Sequence, residues 1–116
     1  MPEAGEGVAP AGRHAARIAA LRRAVFDSPG ACDRAVRAAA ASADGLPPPL
    51  DAYVTRVCDE AYRIADADFA ALKAAGCSDD EIFEVTVAAA VGASLRLLDA
   101  GMRAAGWGSG DAAGNT

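Results

Sequence analysis

Apolar residues recur at helical spacing along nearly the whole chain. Ile18, Leu21 and Val25 fall at i, i+3 and i+7, one stripe of an amphipathic helix expected over about Arg13 to Phe26. Asp27-Ser28-Pro29-Gly30 closes that helix. Ser28 followed by Pro29 also reads as a start signal, with a hydroxyl to cap free amides and a proline suited to the first helical position. A second, alanine-rich helix is therefore expected from there to about Ser42, with Gly45 beyond its end. Pro47-Pro48-Pro49 predicts a stiff, extended connection. From Leu50, the positions Leu50, Val54, Val57, Ala61 and Ile64 step by four, three, four and three, a seam for packing on another helix. Asp59 and Arg63 form an outward i, i+4 pair on that helix. Asp66 marks a cap or a kink, and the helix resumes through Phe69 and Leu72 to stop at Gly76.

Ser78-Asp79-Asp80-Glu81 carries the strongest local signal. Ser78 and Glu81 have the capping-box spacing, and three acids stand at the positive end of the helix that follows. That helix is expected from about Asp79 to Ala104. Ile82, Val85, Ala89 and Ala93 lie on one side, while Phe83, Val87, Val91, Leu95 and Leu98 cover much of another. A helix apolar nearly all round is buried nearly all round. A chain this short struggles to cover it, so part of the helix is expected to be a subunit interface. The pattern as a whole predicts an all-α protein with one helical domain over residues 13–105. Residues 1–12 and 106–116, rich in Gly and Ala, are expected to be flexible tails.

Composition sharpens this picture. The 116 residues are 53% hydrophobic but only 5% aromatic. Much of the apolar count is alanine, which favours helix and buries little area. The core of a single chain is thus expected to be thin. A net charge of −5 argues against nucleic acid as a partner, despite Arg13, Arg17, Arg22 and Arg23 near the N-terminus, which read as a solvated face. Val85 to Leu95 is the most apolar stretch, too short for the roughly 20 residues of a membrane span. Neither that stretch nor the N-terminal residues resemble a signal peptide. Cys32, Cys58 and Cys77 are odd in number and widely spaced, which suits reduced thiols in a cytoplasm. The Ala, Gly, Arg and Asp bias suggests a bacterial source.

No cofactor is expected, and no metal, since one histidine, His14, and three scattered cysteines make no zinc set. Cys58 lies mid-helix beside Val57 and two acids, which disfavour a thiolate. Cys77 precedes a helix N-terminus, whose dipole favours one. Asp66, Asp68 and Glu84 stand near apolar runs, and Tyr62, Asp68, Glu84 and Thr86 are candidates to line a small polar pocket. Against this, Asp66 and Asp68 also read as a capping turn, and Glu84 as an acid that compensates the helix dipole.

The run Phe69-Ala-Ala-Leu-Lys-Ala-Ala-Gly76-Cys-Ser78-Asp-Asp-Glu-Ile-Phe-Glu84-Val, with the small-residue helix Thr86 to Leu98, resembles the alkylhydroperoxidase D-like and carboxymuconolactone decarboxylase superfamily. That resemblance covers Tyr53 to Gly101. It implies an orthogonal bundle of about five to six helices and a homo-oligomer, often a trimer or hexamer. The family's peroxidase branch carries Cys-x-x-Cys-x-x-x-His before the glycine. Aligned on Gly76, those positions hold Ala61, Ile64 and Asp68. The resemblance therefore implies the fold and assembly, not the thiol chemistry: a non-redox binding or scaffold protein with a possible small-molecule ligand. The alternative is an enzyme of altered chemistry, either a single-thiol peroxidase on Cys58 or Cys77 or an acid–base catalyst using Asp68 and Glu84. An adaptor that captures a partner through the N-terminal arginine helix is a third reading.

Overall fold

A computed structural model describes residues 10–106, and the expected tails lie outside them except at Pro10–Gly12 and Gly106. The described residues are helical, with no strand. Five α-helices follow in order: α1 Pro10–Arg22, α2 Arg34–Ser42, α3 Pro48–Asp59, α4 Asp66–Ala74 and α5 Asp79–Ala104. A π-helical turn, Arg23–Asp27, continues α1, and a 3-10 turn, Ala61–Arg63, lies between α3 and α4. No described helix is long and apolar enough to cross a membrane.

Helix ends follow local chemistry closely in the C-terminal half. The capping box is complete: the Glu81 N–H donates to Ser78 Oγ at 3.1 Å and the Ser78 N–H donates to Glu81 Oε1 at 2.8 Å. These bonds satisfy amides that a helix start leaves open. At the other end of the hairpin Gly76 has φ +99°, the left-handed geometry glycine adopts at least cost. The Cys77 N–H then reaches back to the Leu72 carbonyl at 3.0 Å, closing α4 as a Schellman-type stop.

Four expectations from the first half are corrected. The chain from Ser28 to Asp33 is not helical, and α2 begins at Arg34 with Asp33 as its N-cap. Ser28 instead donates its hydroxyl to the Ala24 carbonyl at 2.5 Å, so it closes the preceding helix rather than opening the next. Pro48 and Pro49 are the first two residues of α3, because neither needs an N–H partner there. Last, α3 ends at Asp59, so the expected seam is helical only through Leu50, Val54 and Val57. Ala61 is exposed. With the helix broken, Arg63 pairs with Glu60 at 3.4 Å in place of Asp59. The N-terminal helix starts at Pro10, three residues earlier than expected.

The core sits where α2 and α3 cross the first half of α5. Cys32, Ala40, Val54, Val85, Ala88 and Ala89 form one buried cluster, and Tyr53, Leu72 and Ile82 a second beneath α4. Among the described residues, the largest fully buried side chains are Leu72, Val54 and Val85. The core is thin, as the alanine content predicts.

Close approach compensates for small side chains. A Cβ placed on Gly92 would overlap the Ala41 carbonyl oxygen and come within 2.6 Å of the Ala41 Cα. The two backbones therefore touch at the α2–α5 crossing, and one turn further on Arg96 donates to that same Ala41 carbonyl. Two effects oppose each other at Gly92. Alanine favours helix over glycine by about 1 kcal/mol, while overpacking a tight site costs about 1–3 kcal/mol. The obstructing atoms are backbone and cannot rotate away, so the steric cost wins. Gly92→Ala is expected to lower the urea midpoint, whereas Gly101→Ala, where a Cβ meets nothing, should hold or raise it.

Candidate functional site

Glu84 joins parts of the chain more than fifty residues apart. One turn into α5, its carboxylate accepts the N–H of Ala31 at 2.7 Å and of Cys32 at 2.8 Å. Those amides belong to the irregular segment before α2, which has no ladder of its own to satisfy them. The amides of Cys32 and then Ala31 hold the Glu84 carboxyl below the usual range; burial opposes this and the Arg37 charge adds to it. A Cβ on Gly30 would come within 2.5 Å of Glu84 Oε1, so the bare backbone at Gly30 lets the carboxylate approach.

Arg37 stands behind this contact. It is 4% exposed and donates from one terminal nitrogen to the Val25 carbonyl at 3.0 Å, tying the π-helical turn to α2. Its Nε has no partner. A buried guanidinium is expensive unless its charge is answered, and Glu84 is the acid whose carboxyl it influences. The sequence reading missed Arg37, because an arginine inside an alanine-rich helix looks like a solvated residue.

Beside this cluster lies a cavity of about 220 Å³, lined by Cys32, Asp33, Leu50, Cys77, Glu81 and Val85 among others. Two of the three thiols face it. Cys32 is buried and directs its Sγ at the Glu81 carbonyl, 3.5 Å away. Burial, reinforced by the Glu84 and Glu81 carboxylates, pushes its pKa up to about 11. Burial, then Glu81, also raises Cys77. The expectation that the helix dipole would favour a Cys77 thiolate is thus reversed, since desolvation and a carboxylate outweigh the helix end. Cys58 is half-buried, with its Sγ 3.8 Å from the Ala89 carbonyl, and packs against the main core.

The four residues expected to share a pocket are dispersed. Tyr62 is 84% exposed on the 3-10 turn. Asp68 caps α4, accepting the Ala65 N–H at 2.8 Å, with Arg56 at 3.7 Å. Thr86 bonds the hydroxyl of Tyr53, not Tyr62, at 2.7 Å. Tyr53 is 4% exposed and carries the polar tip that α3 presents to α5. Asp68 and Glu84 thus hold separate backbone segments, at Ala65 and at Ala31–Cys32. No group of three or more His, Cys, Asp or Glu among the described residues is placed to hold a metal ion. His14 and the arginines Arg17, Arg22 and Arg23 are exposed.

Comparison with family models, with curated proteins and with solved structures finds no match. The chemistry of this region therefore has to be read from its own atoms. They describe a brace: an acid and a buried arginine that fix the segment before α2, next to a small, largely apolar hollow with protonated thiols.

Two measurements check this description. A carboxyl whose folded pKa is lowered stabilises fully above the unfolded value, about 4.3 for Glu, and loses that contribution as pH falls through the folded value. Glu84→Gln should therefore lower the urea midpoint at neutral pH, and the gap to wild type should close as pH drops below about 4. A gap independent of pH would place the carboxylate elsewhere. For the thiols, iodoacetamide at mildly alkaline pH should label Cys32 at least about tenfold more slowly in the native chain than in the urea-unfolded chain, read by peptide mass mapping.

Proposed function

We propose that this chain is a non-redox, homo-oligomeric binding or scaffold protein of the alkylhydroperoxidase D-like and carboxymuconolactone decarboxylase type. The support for the type is the hairpin from Phe69 to Leu98: a helix, the Gly76 stop, the Ser78–Glu81 capping box and a long helix whose small residues meet another backbone. Ala61, Ile64 and Asp68 stand where thiol chemistry would need sulfur and imidazole.

The observation that carries the non-redox reading is that the candidate carboxylates already have structural work and two of the three thiols are held protonated. Glu84 and Asp68 hold backbone amides in different places, and Cys32 and Cys77 have raised pKa values, which keep them as thiols at neutral pH. The three cysteines are unpaired, which suits a reducing cytoplasm. Assembly is supported by the thin core and by Phe83, Leu97 and Leu98 of α5, which are 68%, 75% and 44% exposed. Large apolar side chains grouped on one helix mark an interaction surface. A trimer or a hexamer would complete the burial that the single chain leaves unfinished.

Sedimentation velocity at micromolar concentration is expected to give a mass above one chain. Peroxide consumption in the presence of a dithiol reductant should not exceed that of the triple Cys→Ala variant. Thiol-dependent turnover by the wild-type chain would overturn the non-redox reading.

A further inference from the structure

The cavity beside the Glu84 brace is assembled from three separate parts of the fold. Cys32 and Asp33 come from the segment that Glu84 holds, Leu50 from the first turn of α3, and Cys77, Glu81 and Val85 from the α4–α5 turn and the start of α5. It measures about 220 Å³ and opens to solvent, below the roughly 300 Å³ at which sites for drug-sized ligands begin. It therefore suits a smaller molecule. Val85 and Cys32 are buried and Leu50 is half-buried, so the depth of the cavity is apolar.

Its rim has one sign of charge. Asp33 and Glu81 are the charged residues of the lining, and no Lys, Arg or His joins them. Both carboxylates have acceptor capacity to spare. Asp33 is the N-cap of α2, yet its side chain makes no capping hydrogen bond. Glu81 commits Oε1 to the Ser78 N–H, which leaves its other oxygen open.

Two helix starts, those of α2 and α5, oppose these charges, each with about half a positive charge. Two whole carboxylate charges outweigh two halves, and Glu84 adds a third from beside Cys32. The Cys32 thiol in the cavity wall registers the balance. After burial, which acts most strongly on it, Glu84 and Glu81 both push its pKa up, and the opposing effect of Arg37 ranks behind theirs.

We infer that this cavity is a binding site for a small organic cation, a primary ammonium group on a short apolar body. This rests on the binding-protein reading above and names its ligand class. The ammonium has three donors and sits at the rim between the Asp33 and Glu81 carboxylates. The apolar body lies inward on Leu50 and Val85, against the polarisable sulfurs of Cys32 and Cys77. An organic anion of the same shape meets two like charges there and is rejected.

Three probes of one shape separate charge from apolar burial: benzylammonium, benzyl alcohol and benzoate. Each is titrated at neutral pH into the full isotope-labelled chain, and the amide resonances of Ala31, Cys32 and Cys77 are followed by NMR. Benzylammonium is expected to bind at least about tenfold more tightly than benzoate, with benzyl alcohol between them. Asp33→Asn combined with Glu81→Gln removes the charge while keeping an N-cap and a capping box, so circular dichroism should be unchanged. That double variant should weaken benzylammonium at least about threefold, the scale of exposed charge pairs, and leave benzyl alcohol as it was. Benzoate that binds as tightly as benzylammonium overturns the inference, as does a chain on which none of the three probes shifts these resonances. An affinity for benzylammonium that the double variant leaves unchanged also overturns it. The reading beneath it fails by different measurements, namely thiol-dependent peroxide turnover or a single chain in sedimentation.

Discussion

The fold depends on how closely α2 and α5 approach. With alanine at most of the crossing positions, neither helix has side chains long enough to fill a gap of ordinary width. Dispersion falls off steeply with separation, so a core of Ala40, Ala88 and Ala89 holds together only when the backbones nearly touch. Gly92 permits that against Ala41, and Arg96 fastens the same carbonyl from the next turn. The remainder is arranged around that contact. Glu84 lies two turns before it and pins the chain that leads into α2. Arg37, on α2 itself, reaches back to the turn that precedes this chain.

This arrangement explains why the candidate chemical groups do no chemistry in the proposed reading. A carboxylate that accepts two backbone N–H groups is held ionised and immobile, a poor general acid near neutral pH. A thiol beside two carboxylates in a buried position stays protonated. In that reading the same interactions that make Glu84 and Cys32 good structural elements remove them from catalysis. Apart from the Arg37 Nε, what the described residues leave unsatisfied is apolar: Phe83, Leu97 and Leu98 on α5, with Leu21 on α1. That exposed apolar surface is what the proposed homo-oligomer would bury.

The second half of the chain was legible because its signals are local. Ser78 and Glu81 are three residues apart, Gly76 acts on its own φ, and a 26-residue helix needs no distant partner to declare itself. In the first half the signals competed. Ser28-Pro29 fits a helix start and a helix stop equally well, and the long gap from Ser28 to Asp33 follows from Glu84 more than fifty residues away, beyond the reach of any local rule. Likewise the seam through Ala61 and Ile64 keeps helical spacing, yet the helix breaks at Glu60 and Asp68 caps a fresh one.

By itself the sequence determined an all-helical chain, the bounds of α5 and its cap, the thinness of the core and the surplus of apolar surface. Each depends on spacing or composition, which need no coordinates. Tertiary structure decided which groups meet: Glu84 with the amides of Ala31 and Cys32, Arg37 with Val25, Tyr53 rather than Tyr62 with Thr86. Those pairings join residues far apart in the chain, and their geometry exists only once the helices have crossed.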